Sequence, residues 1–271
     1  MQDFDLKPYL SQIVLPKRDN TKGDNGRVLV IGGSKLFHAA SFWTADMASH
    51  IVDMVHFSSP TMENNDLMRV KAKEKFWNGI VVPYEELGHY IEEDDCIVIG
   101  PGMERGETTK KIVNALLTKY PSKKWVVDGG ALQEVDPTLL TPSMIITPNL
   151  REIEMLNNKM SPKGLSKFPC TILAKGPVDS ISYLNTGSLE NQKTITISGG
   201  SPGMTKGGTG DVLAGLVAGL YAKSPALVSC VVASYINKLA SEELSESLGS
   251  LFSPSDLITQ IPVSLRELQV S

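Results

Sequence analysis

The chain has little to offer metal or disulfide chemistry. Its three cysteines, Cys96, Cys170 and Cys230, stand far apart with no CxxC pair, which excludes a disulfide framework and a zinc ribbon. Cys96 in DDCIVIG and Cys230 in LVSCVVA lie in apolar surroundings and read as small buried hydrophobes of a protein in a reducing compartment. The four histidines, His38, His50, His56 and His89, have no ligand spacing. Positive charge is not in excess: the net charge of −4 lacks the electrostatic footprint of a nucleic-acid binder. Long hydrophobic runs are missing too. The longest uncharged apolar stretch, Val212 to Ala222, is too short to cross a bilayer, and charges interrupt the opening MQDFDLKPYLSQIVLPKRDN where a secretory segment would be apolar. The expectation is a cytoplasmic protein with neither a nucleic-acid nor a membrane partner.

What is present is a sizeable core: 271 residues, 41% of them hydrophobic. Short runs rich in Val and Ile end in glycine or turn residues: RVLVIGGS (27–34), DMVHFSSP (53–60), DCIVIGPG (95–102), KWVVDGG (124–130), SMIITPN (143–149), CTILAKG (170–176) and SISYLN (180–185). Such runs fit strands buried on both faces. Helical periods cover Ala39–Val52, Thr108–Lys119, Gly210–Lys223 and Leu227–Glu246. Ser59 to Gly79 has no dominant period. Alternating strands and helices predict an α/β fold with an open, mostly parallel sheet, whose ligands bind beyond the carboxyl ends of the strands. No repeat or linker divides the chain, so residues 1–271 read as one domain.

The stretch GGSPGMTKGGTGDVLAG (199–215) concentrates glycine before an apolar helix. It is not a Walker loop, because Gly207 and Gly208 follow Lys206 where Ser or Thr is required. Nor is it a dinucleotide fingerprint, since no βαβ unit with a downstream acid follows. The amides of Gly208, Thr209 and Gly210 at a helix start make an anion site. Asp211, in the first turn, then has two readings. It is an acid that complements the helix dipole, worth about 0.3–1 kcal/mol, or a base for a hydroxyl attacking a phosphoryl group. Gly215 and Gly219, like Ala214 and Ala218, are four apart and indicate close helix packing.

This combination resembles the ribokinase-like superfamily, in which a GTGD-type motif carries the anion hole and the catalytic aspartate. TPNLRE (147–152) is similar to that superfamily's NxxE element. The resemblance implies that Asn149 and Glu152 organise Mg²⁺ and phosphate, while the same spacing also suits a helix N-cap at Asn149 with Glu152 three residues on. KGDNGRVLVIGGS (22–34), IGPGM (99–103), VVDGGAL (126–132), AKGPVD (174–179), SPGMTKGGTGDVLAGLVAGLYAK (201–223) and SPSDLITQIP (253–262) resemble, in the same order, the NAD(P)H-hydrate dehydratases.

That family resemblance implies a three-layer α/β/α ribokinase-like fold and repair of hydrated NADH or NADPH. ADP or ATP phosphorylates the ring hydroxyl, and loss of phosphate restores the double bond. It assigns Asp211 as the base, and Lys175, Gly176, Pro177, Val178 and Asp179 with Gly210 to the nucleotide. Ala39, Gly102 and Asn149 are assigned to the hydrated cofactor. The chain departs from the pattern at three places. Asn149 stands where histidine is usual, Lys206 where a small or polar residue is usual, and Asp128-Gly129-Gly130 replaces Asp-Ala-Asp. Lys206 has two open orientations, toward phosphate or toward solvent. The epimerase domain of many relatives is not seen, which implies a separate epimerase, and relatives suggest a homo-tetramer. Two other readings stay open: a small-molecule kinase acting on a thiazole, pyrimidine or sugar alcohol, which Asn149 favours, and a nucleotide-binding sensor without turnover.

Overall fold

Val28 and Val30 pack on one side of the sheet and Leu29 and Ile31 on the other, and all four are fully buried. A strand covered on both faces needs an apolar residue at every position, which is why the sequence shows continuous runs instead of alternation. The computed structural model describes residues 4–74, 79–160, 167–185 and 191–270. Its strands are β1 (Arg27–Ile31), β2 (Met54–Ser58), β3 (Gly79–Val81), β4 (Cys96–Ile99), β5 (Trp125–Val127), β6 (Met144–Ile146), β7 (Thr171–Ala174), β8 (Val178–Leu184) and β9 (Gln192–Ser198). They form one sheet in the order β3-β2-β1-β4-β5-β6-β7-β8-β9. The pairings from β3 through β7 are parallel, and β8 and β9 join as an antiparallel hairpin.

The helices are α1 (Lys7–Leu10), α2 (His38–Ser49), α3 (Met62–Glu74), α4 (Leu87–Glu93), α5 (Glu107–Lys119), α6 (Gly129–Glu134), α7 (Leu150–Met160), α8 (Thr209–Lys223), α9 (Ala226–Leu248) and α10 (Pro254–Val270). On one face, α2, α8, α9 and α10 close a core against Val30, Val98, Val126 and Leu173. On the other, α4 to α7 close a second core against Ile31, Ile99, Val127 and Ile146. The result is the three-layer arrangement expected from the sequence. The apolar run Val212 to Ala222 is the buried centre of α8.

The seven expected strands are all present; the first six are shorter, because their glycine and turn residues already belong to the loops that follow, whereas the seventh, SISYLN, starts two residues earlier as β8. The unassigned stretch Ser59 to Gly79 contains α3, and its residues 75–78 lie outside the described residues. The edge strand β9 was not foreseen. Along QKTITIS only Ile197 is buried, so it lacks the apolar run that marks a central strand.

α2 and α8 touch through backbone. A Cβ on Gly215 would stand 2.3 Å from the Thr44 carbonyl oxygen, and one on Gly219 2.8 Å from the Ile51 side chain. The Thr44 hydroxyl, 3.0 Å from the Asp211 carbonyl, ties the start of α8 to α2. Gly215→Ala is therefore expected to destabilise the protein by about 1–3 kcal/mol through overpacking, despite alanine's advantage of about 1 kcal/mol within a helix. Denaturant unfolding measures the change, and a gain in stability would contradict the close approach.

Candidate active site

The carboxyl ends of β5, β6 and β7 bring three charged residues together. Asp128 follows β5 and is 3% exposed. One of its oxygens accepts from the Thr147 hydroxyl at 2.8 Å and from the Lys175 ammonium at 2.7 Å. Lys175 follows β7 and is bridged through its backbone to Asn149, which follows β6. Burial alone lowers the proton affinity of Lys175. Asp128 offsets this, with help from Glu152 and Asp211, so the ammonium is held above its ordinary value.

Asn149 and Glu152 form a reciprocal cap at the start of α7. The Glu152 amide donates to Asn149 Oδ1 at 3.1 Å, and the Asn149 amide donates to Glu152 Oε2 at 2.9 Å. Gln133 Nε2 donates to the other Glu152 oxygen at 2.9 Å. The helix-capping role anticipated for this pair is thus present, and it holds the Glu152 carboxylate toward Lys175.

The glycine-rich loop delivers α8 onto this cluster. Gly208 has φ +103°, and a Cβ there would stand 2.4 Å from the Trp43 ring, so both conformation and space require glycine. At Gly210 a Cβ would stand 3.3 Å from Lys175 Nζ, which places the helix start directly over the ammonium. The amides of Gly208, Gly210 and Asp211 find no acceptor among the described residues. The amide of Thr209 instead turns toward the Lys206 carbonyl, 3.4 Å away, and its buried hydroxyl lies 2.7 Å from the Met204 carbonyl. Thr209 shapes the loop, and the free amides lie on either side of it.

Asp211 sits in the first turn of α8, and its carboxylate bonds to none of the described residues. Burial, then repulsion from Asp128, pushes its pKa from the ordinary 3.8 up to about 7, against the pull of Lys175. A carboxylate poised near neutrality beside unpaired amides and an ammonium is equipped to take a proton from a group that those donors hold.

These residues line a cavity of about 840 Å³ that also includes Gly176, Pro177, Gly199 and Gly200. Lys238 of α9 is 2% exposed and was not anticipated. Its ammonium donates to the carbonyls of Gly176, Pro177 and Gly199 at 3.0, 3.2 and 3.2 Å. The signal was a lone lysine inside the apolar run CVVASYINKLA, where a charge survives only if it is paired. Asp179, expected at the nucleotide, is buried and turned inward. It accepts from the Gly176 amide at 2.9 Å and from the Ser234 hydroxyl at 2.7 Å, and lies 3.4 Å from Lys238 Nζ. Pro177 is exposed and lines the cavity, whereas Val178, also exposed, does not line it. Lys206 takes neither anticipated orientation, because its ammonium bonds the Phe252 carbonyl at 2.7 Å and pins the loop to the chain before α10.

Of the three positions assigned to the hydrated cofactor, Asn149 lines the larger cavity. Ala39 is in the first turn of α2, and Gly102 packs beside it, where a Cβ would stand 2.1 Å from the Phe37 carbonyl. Neither lines the larger cavity nor the smaller cleft of about 470 Å³ that contains Gly33, Ser34, Lys35 and Arg105.

A family model described as NAD(P)H-hydrate dehydratase matches residues 28–263. A bifunctional NAD(P)H-hydrate repair enzyme of Methanocaldococcus jannaschii is 33% identical over 94% of this chain, which spans about half of that relative, 51% of its length. An ADP-dependent (S)-NAD(P)H-hydrate dehydratase of Nitrosopumilus maritimus is 31% identical over 92% of each chain. Among solved structures, a ribokinase-like superfamily protein of Enterococcus faecalis superimposes with a TM-score of 0.81 at 22% identity, over 97% of this chain and 95% of the other. The fold is ribokinase-like.

Two expectations follow from the geometry. The folded-state pKa of Asp211 lies above its value of about 4 in an unfolded chain, so the stability carried by its extra proton is present at low pH and lost as pH rises through about 7. Asp211→Asn has no charge to bury. Its melting temperature should exceed that of the wild type at pH 8, with the gap closing toward pH 4; parallel melting curves at every pH would contradict the raised value. Lys238→Met removes the cation facing the buried Asp179 and the donor to three carbonyls, and denaturant unfolding should show a loss of about 3–5 kcal/mol.

Proposed function

The chain belongs to the NAD(P)H-hydrate dehydratase family, and from that premise we propose that it is a nucleotide-dependent lyase acting on hydrated NADH or NADPH. The observation that carries this reading is the unpartnered Asp211 carboxylate, poised near neutrality at the start of α8 beside free amides and Lys175. The substrate's ring hydroxyl attacks the terminal phosphorus of the nucleotide and gives its proton to Asp211. The bond from that phosphorus to the bridging oxygen breaks, releasing the shortened nucleotide. Loss of inorganic phosphate and a ring proton then restores the carbon–carbon double bond.

The amides of Gly208, Gly210 and Asp211, together with Lys175, face the charge that develops on the transferring group. The loop Lys175–Asp179 is the proposed nucleotide wall: Lys175 supplies charge, Gly176 and Pro177 supply backbone surface, and Asp179 holds the loop in place. We take ADP as the donor because the N. maritimus relative is named for it, with ATP as the alternative. Three closely spaced carboxylates, Asp128, Glu152 and Asp211, against one ammonium suit a hard cation that shares phosphate oxygens. Mg²⁺ suits such a site, because it keeps several waters and needs only one or two carboxylates besides the phosphates. Asp128 and Glu152 would hold it, with Asn149 orienting Glu152, and when bound it would neutralise phosphate charge. The three buried, unpaired cysteines support a reducing compartment, the cytoplasm.

The test mixes hydrated NADH, Mg²⁺ and ADP or ATP in parallel and follows recovery of NADH absorbance. Recovery is expected with at least one nucleotide. The pH profile of kcat/KM should rise through about 7 as Asp211 loses its proton, and Asp211→Asn should lower turnover at least about 10²-fold. Absence of recovery with both nucleotides would remove this reading. A phosphorylated product that resists elimination would identify a small-molecule kinase, and nucleotide binding without turnover would identify a sensor.

A further inference from the structure

The larger cavity has two molecules to serve, a phosphoryl donor and a dinucleotide whose hydrated ring must reach Asp211. The loop Lys175–Asp179, proposed as the donor's wall, lies toward the β8 and β9 end of the sheet. The far half of the dinucleotide is left the other direction along the same rim, toward β4 and β1. There the smaller cleft opens, and its volume of about 470 Å³ is within the roughly 300–1,000 Å³ of small-molecule sites. Gly129 lines the larger cavity, and a Cβ on the next residue, Gly130, would stand 2.0 Å from the carbonyl oxygen of Met103, which lines the cleft. The two linings are joined through that backbone contact.

The cleft carries charge that nothing else in the fold uses. Lys35, from the segment after β1, and Arg105, from the segment after β4, both line it. The Arg105 guanidinium bonds to none of the described residues. Lys35 meets Glu63 at 3.6 Å with both side chains exposed, a pair that water screens and a ligand can replace. Two acids share the lining. Glu107 is paired with Lys110 at 3.2 Å, whereas the Glu104 carboxylate bonds to none of the described residues. An unpaired carboxylate beside two cations disfavours a bare anion and suits a phosphorylated sugar. Phosphate oxygens take the planar guanidinium in a fork and the ammonium as a point charge, and a neighbouring hydroxyl donates to the carboxylate. Hydrated NADPH carries such a group on its adenosine ribose, a 2′-phosphate next to a 3′-hydroxyl, and hydrated NADH lacks the phosphate.

We infer that the smaller cleft holds the adenosine ribose of the hydrated dinucleotide, and that Arg105 and Lys35 select its 2′-phosphorylated form. The inference rests on the reading of the larger cavity as the site of phosphoryl transfer. Steady-state kinetics on the whole protein, with Mg²⁺, the active nucleotide and either hydrated NADPH or hydrated NADH, test it, because the two substrates differ only at that phosphate. The wild type should favour hydrated NADPH in kcat/KM by at least about tenfold. Arg105→Gln should lower that preference about tenfold and Lys35→Gln about threefold, with the change in KM and not in kcat, as expected for a contact made equally in the ground and transition states. Both side chains are exposed, so the variants are expected to fold. Equal use of the two substrates by the wild type, or a preference that survives both substitutions, overturns the assignment of the cleft and leaves the dehydratase reading standing. Turnover of neither substrate overturns both.

Discussion

The Lys175 ammonium lies 2.7 Å from Asp128, with Glu152 and Asp211 within electrostatic reach, and the geometry around it answers the need to keep three acids from repelling one another. Asp128 is fixed by Thr147 and Lys175, and Glu152 by the cap at Asn149 and by Gln133. Asp211 alone has no such partner. Burial and the remaining repulsion raise its proton affinity, which equips it to exchange a proton.

That arrangement requires α8 to start directly above Lys175, and glycine makes the approach feasible. A side chain at Gly210 would press on the ammonium, and one at Gly208 would meet Trp43. Gly215 then lets the helix lie against the backbone of α2, so its first turn is held from the side as well as from below.

On the opposite wall a second buried lysine does for loops what Lys175 does for acids. Lys238 gathers carbonyls from the segment after β7 and from the segment after β9, which are far apart in sequence, and Asp179 balances its charge. The loop proposed as a nucleotide wall is therefore shaped from behind. Asp179, which the motif seemed to offer to a ligand, is part of that support.

The layer order, the strand runs and the uncovered amides at the start of α8 were legible in the chain because they depend on local properties. Continuous Val and Ile runs can be satisfied only between two helical layers, and glycine beside a helix start leaves amides uncovered whatever lies nearby. The cap at Asn149 and Glu152 was legible for the same reason, since three residues of helix fix its geometry. Edge strand β9 was not, because a strand with one face in water needs little apolar sequence. The inward turn of Asp179, the bond from Lys206 to Phe252, the role of Lys238 and the raised pKa of Asp211 depend on groups distant in sequence. Local sequence determined which backbone could form; only tertiary packing decided which charges would meet, because the energy of a buried charge is set by its spatial neighbours and by the water it has lost.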